Sequence, residues 1–237
     1  SNANRDWAHY KGFGLVDQVD DIRVSNPPTN PELFDLLVEK LIENDFDFRR
    51  LDRDICNSQA YQRSSATNET NAHDSRNYAH ARIRRIPAES LLDCICQVTE
   101  SPDKFTGLPL GARAVQIADG KTSNYFLTTF GRAPRATVCD CEASTDPSLS
   151  QALHLLHGSS ISKKITSGNK VKNWMETEQL SEGKVIERIN IRCISRRPSE
   201  AESKQLLETV GQTDNKSAAL EDIFWAVLNS REFVFNH

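Results

Sequence analysis

The 237-residue sequence has little cysteine, no excess of basic charge and no long apolar run. Six cysteines are too sparse for a disulfide scaffold, although an even number permits bridges. Lys and Arg total 29 against 33 Asp and Glu, a net charge of -4. General binding of nucleic acid or of an anionic membrane needs a basic surface, so this balance argues against both. No stretch approaches the roughly 20 apolar residues that span a bilayer. A Gly-rich phosphate loop, a Gly-x-Ser-x-Gly elbow, a His-Glu-x-x-His helix and a Cys-x-x-Cys-His haem attachment site are all missing. There is no internal repeat.

What is present is a chain that is 38% hydrophobic, enough to bury a substantial core. Ser1-Asn2-Ala3 looks like a protease-cleavage scar, and fold reasoning begins at residue 4. The sequence then opens inside structured-looking residues, as expected for a domain cut from a longer protein, and the lack of a signal peptide carries no message about compartment. Residues 4–237 read as one mainly α domain, with an N-terminal part over 4–100 and a C-terminal part over 144–237 packed together. Asn30-Pro31-Glu32 is a helix start, with an N-cap, a proline at the first helical position and an acid at the positive end of the dipole. Leu33, Phe34, Leu37, Val38, Leu41 and Ile42 then recur at helical spacing.

Further helices are predicted around Phe48 to Ile55, from Pro87, around Tyr125 to Phe130, after Asp146-Pro147, over Lys184 to Ile194 and over Ala218 to Leu228. Ser199 and Glu202 form a capping box for another. Residues 64–77 read as a polar loop. Ala114 to Ile117 has the partial alternation of a strand, with residues 136–141 as its partner, so a small β-hairpin or irregular excursion is expected around 110–142.

The segment 131–158 gathers side chains that a metal or redox centre needs. Cys139 and Cys141 flank one aspartate, Glu142 follows, and the next predicted helix carries His154 and His157. In an extended segment residues i and i+2 face one side, so both sulfurs can meet one ion or one partner. Cys139, Cys141 and His154 are therefore candidate metal or redox residues, and no other cofactor is predicted. A packed turn with structural histidines is the competing reading. Cys94 and Cys96 sit in mid-helix and point about 200° apart, so they cannot share an ion.

Asp20, Glu89 and Glu142 are candidate catalytic carboxylates. A glycoside hydrolase holds two carboxyl groups roughly 5 to 10 Å apart, and caps or salt bridges are the plainer use of such acids. His73-Asp74 lacks an assignable nucleophile. Arg76, Arg82, Arg84 and Arg85 with Tyr78 suit either a phosphate patch or a salt-bridged face, and the acidic balance favours the second.

Several motifs in order resemble a known family. They are Asn4-Arg5-Asp6-Trp7-Ala8-His9 with Gly12 to Val16, Asn26-Pro27-Pro28 with Pro31-Glu32-Leu33, Ser58 to Ser65, Arg84 to Asp93 and Phe130-Gly131-Arg132. Cys139 to Glu142 with Gln151 to Leu156, Ser195-Arg196-Arg197-Pro198 and Leu228 to Phe233 complete the set. Together they are similar to a planctomycete-type C-terminal domain of unknown function, the domain of unknown function 1553 family. The resemblance implies companion domains in a large exported polypeptide, often including a cytochrome-c-like haem module, with any haem confined to that companion. It also implies an extracytoplasmic setting, periplasmic or cell-surface, and a polysaccharide as a candidate partner. No catalytic residues come with it.

The expected role is a non-catalytic binding or assembly module, with a hydrolase or a metal or thiol redox enzyme as the alternative. The candidate binding surface comprises Trp7, His9, Asn26, Arg85, Arg132 and Gln151.

Overall fold

A computed structural model describes residues 1–16, 18–118, 124–133 and 159–236. The chain is mainly α, as its periodicity predicts. It divides into two compact units, Ser1–Arg84 and Arg85–Asn236. The boundary therefore falls at Arg84–Arg85, upstream of residue 100.

Unit 1 contains α1 (Asn2–Lys11), α2 (Pro31–Glu43) and α3 (Phe48–Asn57). Helix α1 begins inside the tripeptide set aside as a scar, and Ala3 is buried. It ends at Gly12, whose φ of 87° suits glycine; a Cβ there would also sit 2.6 Å from Cδ of Arg84. Asn30 caps α2 as expected, its Oδ1 accepting the Leu33 amide at 3.0 Å. Asp47 does the same for α3 through the Arg49 amide. The apolar stripes meet in a core of Ala3, Trp7, Leu15, Leu37, Leu41, Leu51, Ile55 and Tyr78. Trp7 packs edge-on to Tyr78 with ring centroids 5.1 Å apart, and Phe13 stacks on Tyr78 at 4.5 Å.

Long loops complete unit 1, and buried polar side chains hold them. Asn4 is fully buried. Its amide donates to the carbonyls of Val16 (3.2 Å) and Val19 (2.9 Å) and its Oδ1 accepts the Val16 amide (3.1 Å). In the polar loop, Asp74 accepts the amides of Ala79, Asn77 and Arg76, and these bonds hold its carboxyl down at about 2. The aspartate of the His73-Asp74 dipeptide therefore organises a turn.

Unit 2 contains α4 (Ala88–Thr99), α5 (Tyr125–Thr129), α6 (Ser159–Gly168), α7 (Lys170–Lys172), α8 (Glu182–Ile194), α9 (Glu200–Gly211), α10 (Lys216–Leu228) and α11 (Arg231–Val234). A π-helical turn, Asn173–Thr177, extends directly from α7. The strand β1 (Arg84–Arg85) lies at the unit boundary and pairs with β2 (Phe235–Asn236). Leu91, Leu92, Ile95, Phe126, Phe130, Ile161, Ile165, Trp174, Val185, Ile186, Ile189 and Phe224 form the heart of the core. Gly168 ends α6 where a Cβ would lie 1.8 Å from the Thr99 carbonyl, so only glycine lets α6 approach α4 this closely.

The strand expected at Ala114 to Ile117 is corrected: Ala114–Gln116 is a 3-10 turn. The buried carboxylate of Asp93, on α4, accepts the Ala114 amide at 2.6 Å and the Val115 amide at 3.3 Å. Both amides are thereby diverted from a ladder. The proposed partner, residues 136–141, lies outside the described residues, as does the helix expected after Asp146. The segment from Lys184 to Ile194 is helical, as predicted, and the Ser199–Glu202 capping box forms reciprocally at 3.2 and 2.7 Å.

Candidate functional site

Two of the motif segments meet at the head of α4. Nε of Arg132 lies 3.2 Å from Oε1 of Glu89, and its Nη2 donates to the Ile117 carbonyl at 3.3 Å. The Arg132 side chain is 4% exposed and that of Glu89 18%. Arg85, also buried, holds its guanidinium carbon 5.5 Å from the Phe130 ring centre, and Phe130 stacks on Phe126 at 4.3 Å. Glu89 occupies the first turn of α4, where the helix dipole also favours a negative charge. Because a guanidinium stays protonated, this pairing holds charge in place and passes no proton. Ser195-Arg196-Arg197-Pro198 meets the C-terminal motif in the same way. Arg196 grips Glu202 at 2.9 Å and Glu232 at 2.8 Å, which holds Glu202 down at about 2.

A cavity of about 200 Å³ opens between α4, α5 and α6 in unit 2. Leu92, Ile95, Phe126 and Ile161 supply apolar wall, and Asp103 and Lys164 supply charge. Nζ of Lys164 donates to Asp103 Oδ1 (2.7 Å), the Ser101 carbonyl (2.9 Å) and Sγ of Cys96 (3.3 Å). Sequence reasoning missed Lys164 and Asp103. They are 61 residues apart, and no spacing rule links them.

In unit 1, the sequence-selected residues scatter. Trp7 is 2% exposed and belongs to the core, so it offers no contact surface. His9 is exposed on α1, its ring edge-on to Tyr10 at 5.1 Å. Asn26 is half-buried and donates its side-chain amide to the Asp21 carbonyl at 2.9 Å. Asp20 is exposed and receives Nε and Nη2 of Arg5 at 2.8 and 2.7 Å, bonds that lower its carboxyl. Asp20 and Glu89 belong to different units, and each carboxylate is committed to an arginine.

The perturbed groups of unit 1 are others, again unforeseen. Burial raises Asp6, with Asp52 adding to it, and burial with Asp52 pushes the Tyr10 phenol up to about 12. Burial lowers the Lys11 ammonium, which donates to the Ala60 carbonyl among the rings of Trp7, Tyr61 and Tyr78.

A further feature of unit 1 is the corner between α2 and α3. Asp45 and Phe46 both take left-handed φ, 50° and 60°. Non-glycine residues there cost about 1–2 kcal/mol each. The Phe46 amide closes the helix end on the Leu41 carbonyl at 2.8 Å, yet its side chain is 61% exposed, beside Ile42 and Phe48 in the chain at 56% and 39%. Asp35 and Glu39 share the helix row of Ile42 at spacings of i+4 and i+3. Lys40 and Arg50 are paired with Glu43 at 3.1 Å and Asp47 at 3.6 Å.

Cys139, Cys141, Glu142, Gln151 and His154 lie outside the described residues. Cys56, Cys94, Cys96 and Cys193 are free, and burial raises each of these thiols, Cys193 to about 12. Among the described residues, no group of three or more His, Cys, Asp or Glu is placed to hold a metal, and no helix is long and apolar enough to cross a membrane.

No curated protein and no solved structure matches the chain. Residues 1–210 match the family described as PSD1, protein of unknown function (DUF1553). The match takes in both units through most of α9 and includes the Arg85–Phe130 and Glu89–Arg132 joints. The chain belongs to that family of proteins of unknown function.

Proposed function

We propose that the chain is a non-catalytic binding and assembly module of a longer exported polypeptide, and that it docks a basic face of a companion cytochrome-c-like haem module. The observation that carries this reading is the α2–α3 corner. It presents Phe46 on strained backbone, with Ile42 and Phe48 adjoining and with Asp35, Glu39 and Asp45 along its edge. Exposed aromatic anchors supply most of the energy of a protein contact, and surrounding charge selects the partner and speeds encounter. The paired carboxylates Asp20 and Glu89 support a structural use of those acids over hydrolysis.

The test is calorimetric titration of the isolated haem module into this protein at low and physiological salt. Saturable binding that weakens with salt is expected, and Phe46→Asp should weaken it by about tenfold or more, the scale of a lost anchor. Equal binding by the variant, no binding at either salt, or binding of a polysaccharide unaffected by Phe46→Asp overturns the proposal.

A further inference from the structure

The geometry points to an oxidation-sensitive covalent switch in unit 2, in which peroxide joins Sγ of Cys96 to Nζ of Lys164. Cys96 lies on α4 and Lys164 on α6. Their reactive atoms are 3.3 Å apart, close to the separation from which a bond can form. The Asp103 carboxylate sits 2.7 Å from the amine, placed to take its proton. Lys164 and Asp103 line the 200 Å³ cavity, which has room for hydrogen peroxide beside the amine, and Cys96 itself is only half-buried.

The chemistry balances in two steps. The Cys96 thiol gives up its proton and the thiolate attacks one peroxide oxygen; the S–O bond forms, the O–O bond breaks, and the departing hydroxide takes up that proton and leaves as water, giving a sulfenic acid. The Lys164 amine, its extra proton passed to Asp103, then attacks that sulfur. The S–N bond forms, the S–O bond breaks, and hydroxide leaves as water on taking up a proton from the nitrogen. Overall, thiol, amine and one peroxide give a sulfenamide and two waters, with sulfur oxidised and peroxide reduced. Sulfenic acids condense in this way with nearby thiols and nitrogens. Burial raises the Cys96 thiol while Lys164 pulls it down, so the first step needs excess peroxide. Proximity then decides which product forms. Cys94, two residues away on the same helix, points elsewhere.

The inference is independent of the docking corner, which lies in unit 1. Its test is peptide mapping by mass spectrometry of the whole protein after exposure to excess peroxide. A cross-linked peptide joining Cys96 to Lys164 is expected, lighter than the sum of its parts by about 2 Da for the two hydrogens lost. Dithiothreitol should release it, and Cys96→Ser, which leaves the Lys164–Asp103 pair in place, should abolish it. The linked protein should also melt at a higher temperature, because the bond closes a loop between α4 and α6. A disulfide from Cys96 to another cysteine, a Cys96 carrying added oxygens with Lys164 unmodified, or an unreacted Cys96 overturns the inference.

Discussion

Units 1 and 2 solve the same problem with different forces. Unit 2 is helix packed on helix, with an aliphatic and aromatic core and carboxylate–guanidinium clamps where segments end, as at Glu89–Arg132 and Arg196–Glu232. Unit 1 has three helices and long connections, and its ties run from side chain to backbone. Asn4 binds Val16 and Val19, Arg84 donates to the His9 and Tyr10 carbonyls at 2.7 and 2.6 Å, and Arg63 donates to the Tyr78 carbonyl at 3.0 Å. A buried loop backbone has no ladder to satisfy it, so polar side chains must take that place. The surfaces differ as well. Of the thirteen exposed large hydrophobic side chains among the described residues, eight lie in unit 1, from Ile22 to Ile83, and five in unit 2. Apolar exposed surface is concentrated in the smaller unit, which holds the proposed docking corner.

Three substitutions sharpen or break this contrast. Leu91→Ala in the core of unit 2 should have the largest effect, a loss of about 3–4 kcal/mol in urea unfolding, because Leu91 is fully buried and the cavity cannot close. Asn4→Ala in unit 1 should cost about 2 kcal/mol, since it leaves the Val16 amide and two carbonyls without their partner. Faster hydrogen exchange confined to residues 12–30 would accompany it. A silent Asn4→Ala would show that polar ties do not hold unit 1.

The smallest effect is a matter of pH. Arg196 and the Ser199 amide depress Glu202 to about 2 in the folded protein. A depressed carboxylate contributes stability that is present above its unfolded value near 4.3 and is lost as pH falls toward 2. Glu202→Gln should therefore flatten the fall of unfolding free energy between about pH 4.5 and 2 and leave the slope above pH 5 unchanged. An unchanged acid slope would remove the clamp from the account.

Much of the helical framework was legible residue by residue. Asn30, Ser199 and the stripe from Leu33 to Ile42 act over one or two turns, and caps and a 3.6-residue period are local forces. The separation of Cys94 from Cys96 on one helix was legible for the same reason. The candidate sites were far less so. Glu89 and Asp20 look alike in sequence, yet one is largely buried against Arg132 and the other lies in the open against Arg5. Trp7 suggested a contact surface by its neighbours in the chain, whereas its own packing against Tyr78, 71 positions away, makes it core.

The sequence by itself determined that this protein is mainly α, where most of its described helices start, and that it belongs to the DUF1553 family. Tertiary structure alone decided that Ala114–Gln116 turns on Asp93, that Arg132 and Arg196 serve as joints, and that Cys96 meets Lys164 from 68 residues away. The physical reason is range. Helix propensity and capping are settled among near neighbours, whereas a charge pair, a close glycine contact or a thiol beside an amine exists only after distant segments have packed.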